Sequence, residues 1–107
     1  MRFITLRRDY QRVYEDTNLT VLKGNLFIFL IQNISEDSLA VGIVVSRKVG
    51  KAVIRNKVKR RVKAFLRENE PVYLAGKNIV IISKPEAGNS NWKEIKKDLA
   101  ELFSKIQ

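Results

Sequence analysis

The residues in this sequence best suited to a specific interaction are ten lysines and arginines crowded between positions 47 and 67, with no Asp or Glu among them. The rest of the chain holds 11 basic and 11 acidic residues, so the whole formal net charge of +10 belongs to this stretch. Charge of one sign concentrated in this way favours a polyanionic partner, because binding releases the partner's counterions. The ten residues are Arg47, Lys48, Lys51, Arg55, Lys57, Lys59, Arg60, Arg61, Lys63 and Arg67.

Catalytic side chains are scarce. The 107 residues include no His and no Cys, which excludes a Ser-His or Cys-His relay, a disulfide framework and a Cys or His metal site. The acidic residues are scattered, and we expect Glu94 and Asp98 to lie on a solvated helix surface, paired with Lys97 and its neighbours rather than with a metal. We therefore predict a binding protein with no catalytic residues and no metal bound by the chain itself.

The aromatic residues fall into two groups. Tyr10 and Tyr14 lie one helical turn apart, and Phe27 and Phe29 share one face of a predicted strand. These four either pack together or form an aromatic platform, and such a platform beside a basic surface is how proteins hold unpaired nucleotides. The others follow helical apolar stripes and are expected in the core: Phe65, Trp92 and Phe103.

Hydrophobic periodicity predicts the elements that position these residues. They are a helix over 6–14, strands over 19–22, 26–31 and 39–46, a helix over 52–68, a strand over 79–82 and a helix from 91. The strands over 26–31 and 39–46 flank a polar turn, which predicts an antiparallel hairpin. The β-branched run over 79–82 predicts a strand covered on both faces. The order α-β-β-β-α-β-α indicates one α+β domain, 1–107, with helices packed on a mixed sheet.

Three local features complete this pattern. Arg61 flanks the apolar stripe of its helix and must either extend to solvent or meet a partner. The Asn91 side chain is placed to cap the last helix, with Glu94 three residues on. No apolar run approaches the roughly 18 residues of a membrane-spanning helix, and the N-terminus has no secretion signal, so we expect a cytoplasmic protein.

The segment from Ser46 to Arg60 reads SRKVGKAVIRNKVKR. It resembles the signature of the protein subunit of bacterial ribonuclease P, in which a strand ending in Ser-Lys-Lys precedes Gly-x-Ala-Val-x-Arg-Asn-Arg-x-Lys-Arg. The N-terminal DYQRVY, from Asp9 to Tyr14, is similar to that family's first helix. The resemblance covers nearly the whole chain.

The resemblance implies an α/β sandwich of the ribosomal protein S5 domain 2-like type, with a left-handed β-α-β crossover through the 52–68 helix. It implies contacts to a catalytic RNA subunit by Arg47, Lys48, Lys51, Arg55, Asn56, Lys57, Lys59, Arg60 and Lys63. It also implies a cleft for the single-stranded 5′ leader of precursor tRNA, matched here by Tyr10, Tyr14, Phe27 and Phe29.

The function that follows from the resemblance is that of a protein cofactor in an endoribonuclease that removes the 5′ leader of precursor tRNA. The RNA subunit would perform the hydrolysis and would need magnesium, with none bound by this chain. The expected partners are the catalytic RNA and precursor tRNA, without a membrane or an obligate protein partner.

Three alternatives stay open at this point. A structural RNA-binding module, such as a ribosomal protein of the same fold, would share the basic helix but would have no use for a leader cleft. A protein-only nuclease would need the His or clustered carboxylates that the sequence lacks. A protein that binds anionic lipid surfaces would need a Trp- and Phe-rich insertion face, which the basic helix does not have.

Overall fold

A computed structural model describes residues 1–106, with residue 72 described by its backbone alone. The predicted α+β order is confirmed, with one short strand added before the first helix. The elements are β1 (Arg2–Phe3), α1 (Arg7–Glu15), β2 (Thr20–Lys23), β3 (Phe27–Asn33), β4 (Leu39–Val44), α2 (Ala52–Glu68), β5 (Lys77–Ser83) and α3 (Trp92–Ser104). The predicted domain, 1–107, also includes Gln107, which lies outside the described residues.

The five strands form one mixed sheet in the order β1-β4-β5-β3-β2. β4 pairs in parallel with β1 and β5, whereas β3 pairs antiparallel with β5 and β2. α2 therefore connects two adjacent parallel strands, which is the crossover that the family resemblance implies. The left hand of that crossover stays a prediction.

The predicted hairpin between the second and third strands is wrong, because β5 lies between β3 and β4. β5 is apolar on both faces, and Ile79, Val80 and Ile81 are fully buried. A strand of this kind is most stable at the centre of a sheet, where neighbours cover both its faces and its edges. The antiparallel hairpin is formed instead by β2 and β3.

Different helices pack on the two faces of the sheet. Phe29 packs edge-on against Phe103 of α3, with ring centroids 4.8 Å apart, so this face of β3 meets the layer formed by α2 and α3. On the opposite face, the Gln32 amide donates to the Arg12 carbonyl and to the Asp16 carboxylate of the α1 region. α1 therefore lies across the sheet from the basic helix.

The expectation that Asp98 is solvated and paired with Lys97 is wrong. Asp98 is 5% exposed, and its carboxylate accepts backbone N–H bonds from Asn25, Leu26 and Phe27 at 2.9, 2.9 and 3.1 Å. The turn between β2 and β3 leaves these donors without strand partners, and buried donors require an acceptor. Asp98 thus fixes the hairpin to α3.

Two local predictions are confirmed. Asn91 and Glu94 form a reciprocal capping box at the start of α3. The Arg61 guanidinium meets a partner, since its Nη1 donates to the Ser90 carbonyl at 3.0 Å and joins α2 to the segment before α3. Among residues 1–106, no helix is long and apolar enough to cross a membrane.

Candidate nucleic-acid interface

The entry to α2 places the first basic residues on the surface. Arg47–Val49 forms a short 3-10 turn that ends when the Gly50 N–H donates to the Arg47 carbonyl at 3.2 Å. Gly50 has a φ of 149°, a conformation that favours glycine because it has no Cβ. This turn leaves Arg47, Lys48 and Lys51 exposed beside the first turn of the helix.

α2 is held to the sheet by a narrow apolar stripe, and its basic side chains cover the remaining surface. The stripe consists of Val58, Val62, Phe65 and Leu66, all of them buried. Within residues 1–106, none of the ten lysines and arginines between positions 47 and 67 forms an ion pair. No carboxylate of the described residues therefore neutralises these cations at contact distance, and seven of the ten side chains are exposed to solvent.

The predicted RNA-contacting residues all lie along this surface, although two are partly covered. Arg55 and Lys63 are partly buried, and the Lys63 ammonium lies 5.4 Å from the centroid of the Phe3 ring. The exposed members are Arg47, Lys48, Lys51, Asn56, Lys57, Lys59 and Arg60. Along the helix, Lys59 and Lys63 project toward α1, whereas Lys57 and Arg60 project toward α3.

A groove of about 510 Å³ opens where α1 and the segment before it meet the end of β4 and the flank of α2. We call it the tyrosine groove, since it is lined by Tyr10 and Tyr14 from α1 and by Lys59 and Lys63 from α2. The two tyrosine rings are stacked, with centroids 6.3 Å apart and an angle of 28° between their planes. The groove thus combines an aromatic surface with two ammonium groups.

Tyr10 is the fixed wall of the tyrosine groove. Its hydroxyl accepts from the Ile43 N–H at 3.1 Å and lies within donating distance of the Ile4 carbonyl, at 3.2 Å. β1 ends at Phe3 and therefore provides no residue that could pair with Ile43 of β4. The Tyr10 hydroxyl binds the Ile43 backbone in its place. Gly42 permits this approach, because a Cβ there would lie 2.5 Å from Cε1 of the Tyr10 ring.

Tyr14 is the accessible wall, with 48% of its surface exposed. Burial is the main cause that raises the phenol pKa of both tyrosines. The backbone N–H of Ile43 partly offsets this rise at Tyr10, whereas proximity to Tyr10 adds to the rise at Tyr14. Both phenols therefore stay neutral at physiological pH, and the groove carries no negative charge that would repel a phosphate.

The two phenylalanines assigned to the cleft do not belong to it. Phe27 and Phe29 are fully buried in the core on the face covered by α2 and α3, across the sheet from α1. Strand alternation correctly places them on one face. Periodicity does not say which helix covers that face, and a side chain with no exposed surface cannot contact a nucleotide.

Sequence reasoning missed the other parts of the tyrosine groove. Phe3 of β1 and Ile4, which follows it, also line the groove, and β1 at two residues is too short to produce a periodic signal. Phe65 and Phe103 are buried as expected, but Trp92 is only partly buried and borders a separate groove beside α2. Within residues 1–106, no group of three or more acidic residues is placed to hold a metal ion.

The fold and the site together define a class of small α+β protein in which a crossover helix carries uncompensated positive charge beside an aromatic groove. The family described as Ribonuclease P matches residues 2–107, and the chain belongs to this family.

The relatives and solved structures agree with this assignment. The ribonuclease P protein component of Bacillus velezensis is 32% identical over 97 residues, or 91% of this chain and 82% of that protein. The component from Thermus brockianus is 45% identical over 67 residues, which cover 63% of this chain and 40% of that protein. The solved ribonuclease P protein from Thermotoga maritima is 30% identical, has a TM-score of 0.84, and is matched over 97% of this chain and 96% of its own.

Proposed function

We propose that this chain is the cytoplasmic protein subunit of a ribonuclease P ribonucleoprotein that removes the 5′ leader of precursor tRNA. The RNA subunit carries out the hydrolysis of the phosphodiester, and magnesium ions stabilise the charge that develops in that step. The protein has no role in bond breaking. Its role is to bind both RNAs and to hold them in position.

The observation that carries this proposal is the tyrosine groove beside the basic helix. Tyr14 offers an exposed aromatic face, and Lys59 and Lys63 of α2 line the groove wall that borders the rest of the positive surface. Stacking on an aromatic ring tolerates every base, so such a groove suits a single-stranded leader of variable sequence. The rigid position of Tyr10 means that the platform exists before the leader arrives, which lowers the entropic cost of binding.

The remaining basic residues suit the structured catalytic RNA. Arg47, Lys48 and Lys51 surround the start of α2, and Lys57 and Arg60 extend the positive surface away from the groove. Contacts of this kind neutralise phosphates without reading bases. They also reduce the repulsion between the catalytic RNA and its substrate, so less magnesium is needed to bring the two RNAs together.

The decisive experiment measures cleavage of precursor tRNA at low magnesium by a bacterial ribonuclease P RNA, with and without this protein. The controls are the protein alone and the RNA alone. We expect strong activity only when both are present. Salt-sensitive RNA binding without any stimulation of cleavage would contradict the proposal and would favour a structural RNA-binding module.

A pair of matched variants tests the leader groove. Tyr14→Ala removes the accessible wall, and Tyr73→Ala removes an equally large ring that is 70% exposed elsewhere on the surface. Loss of one stacked base costs about 1–3 kcal/mol, so Tyr14→Ala is expected to weaken binding of leader-bearing precursor by about fivefold or more. Binding of mature tRNA should be unchanged, and Tyr73→Ala should affect neither RNA. Equal losses for precursor and mature tRNA would contradict a leader site at Tyr14.

A further inference from the structure

A second groove, of about 490 Å³, runs between α2 and α3 on the flank of the basic helix that faces away from the tyrosine groove. We call it the tryptophan groove, since Trp92 borders it. Its other lining residues are Lys57, Arg60, Arg61, Ala64 and Glu68.

The charges of the tryptophan groove favour an anionic occupant. Three cationic side chains line it against one carboxylate, that of Glu68. Within residues 1–106, none of the three cations forms an ion pair. Arg61 is held in place by its bond to the Ser90 carbonyl and forms a fixed part of the wall. A fourth cation lies at the indole itself, because the Lys96 ammonium stands over the Trp92 ring, 5.2 Å from its centroid, and a base stacked on that face would displace it.

The groove also has a flat aromatic element and room beside it. Trp92 is only partly buried, although it packs against the core through the rest of its surface. Ala64 lies in the groove between basic residues one turn before it and Glu68 one turn after it, and its single methyl group keeps the space beside the indole open. A larger side chain at position 64 would fill this space.

From this arrangement we infer that the tryptophan groove binds an unpaired nucleotide of RNA, with the base against Trp92 and the adjoining phosphates near Arg60 and Lys57. An indole supplies the strongest stacking surface among the side chains, and basic groups around it suit the phosphates on either side of the base. An acidic peptide would satisfy the charges but would leave the aromatic face without a matching partner. The inference rests on the proposed function and adds a second single-stranded contact to it.

The test uses the full chain and two readouts, since Trp92 is the only tryptophan in the sequence. Labelled ribonuclease P RNA reports binding through its fluorescence anisotropy, and the intrinsic fluorescence of Trp92 reports occupation of the groove. Hexauridine serves as a minimal single-stranded probe. We expect both RNAs to quench Trp92 fluorescence, and the quenching by ribonuclease P RNA to follow the same saturation curve as its anisotropy.

The decisive variant is Ala64→Leu, which fills the groove without changing any charge and keeps a strong helix former in α2. The matched control is Ala100→Leu, the same substitution at an exposed position of α3 outside the groove. The hexauridine measurements use chains that also carry Tyr14→Ala, so that binding in the tyrosine groove does not hide binding in the tryptophan groove. We expect Ala64→Leu to abolish the quenching and, with Tyr14→Ala present, to weaken hexauridine binding by about tenfold, the loss of one stacked base. We expect Ala100→Leu to behave like the original chain, and circular dichroism checks that both variants are folded.

The outcomes separate the two proposals. The nucleotide site is refuted, and the proposed function stands, if ribonuclease P RNA saturates the protein while Trp92 fluorescence stays constant. The same conclusion follows if, with Tyr14→Ala present in both chains, Ala64→Leu binds hexauridine as tightly as Ala100→Leu does. If no RNA binds, the proposed function and the nucleotide site both fail. Quenching by polyglutamate but by neither RNA would overturn the assignment in favour of an acidic peptide.

Discussion

Replacing Asp98 by Ala removes one carboxylate that serves three backbone donors at once. The bonds from Asn25, Leu26 and Phe27 are 2.9–3.1 Å long, and the latter two lie in the buried part of the structure. A hydrogen bond to a charged group contributes about 1.5–3 kcal/mol, and a buried donor left alone costs a similar amount. Water can replace the lost acceptor at the N–H of Asn25, which is exposed, but less easily at the N–H groups of Leu26 and Phe27, which are buried. We therefore expect the free energy of unfolding to fall by about 3–4 kcal/mol.

A loss of this size is a large fraction of the roughly 5–15 kcal/mol typical of a domain. It corresponds to a fall in Tm of about 15–25 °C for a chain of this length. Urea unfolding followed by circular dichroism measures the loss in the free energy of unfolding directly. The matched control is Glu101→Ala, an exposed carboxylate on the same helix, which should change stability by less than about 0.5 kcal/mol. A loss below about 1 kcal/mol for Asp98→Ala would refute the reasoning, since it would mean that the three bonds are replaced by water at little cost.

Four further predictions concern the grooves and the basic helix. Tyr10→Phe removes the hydroxyl that pairs with the end of β4 and should lower the free energy of unfolding by about 1–2 kcal/mol in urea; an unchanged midpoint would contradict this role. Gly42→Ala displaces the Tyr10 ring and should cost about 1–3 kcal/mol in the same assay, whereas unaltered stability would show that the ring yields freely. Tyr10 and Tyr14 should ionise above the ordinary pKa of 10.0 when their titration is followed by tyrosinate absorbance. The contribution of the two neutral phenols to the free energy of unfolding is complete below pH 10.0 and is lost as pH rises through the raised pKa values. Arg55→Ala with Arg60→Ala should weaken binding of ribonuclease P RNA and flatten its salt dependence by about 0.9 in slope for each phosphate that is no longer neutralised, and an unchanged slope would place these residues outside the interface.

The sequence alone determined those features that depend on neighbouring residues. The apolar period of α2 and the charge around it identify the basic helix, because both repeat within a few turns. The capping box at Asn91 is likewise local, since its two partners lie three residues apart. The same period places Arg61 on the flank of the apolar stripe and predicts that its side chain either extends to solvent or meets a partner; the structure shows the partner. The Ser46–Arg60 signature is continuous, so it identified the family before any fold was known.

The candidate site was only partly predictable. Tyr10 and Tyr14 were found because a helix brings them together one turn apart, and the tyrosine groove retains both. Phe27 and Phe29 were assigned to the same site by the family resemblance, in agreement with their residue type, although the two pairs lie on opposite faces of the sheet. The tryptophan groove had no signal in the sequence, because it exists only where α2 and α3 lie side by side.

The tertiary structure decided what depends on contacts between distant segments. β5 enters the sheet between β3 and β4 because its apolar surface needs cover on every side, and no local pattern records which strands supply that cover. Asp98 has the sequence neighbourhood of a solvated surface residue, yet it is buried because a turn more than seventy residues earlier presents three donors to it. Periodicity states which residues share a face, whereas only the packed chain determines what that face meets.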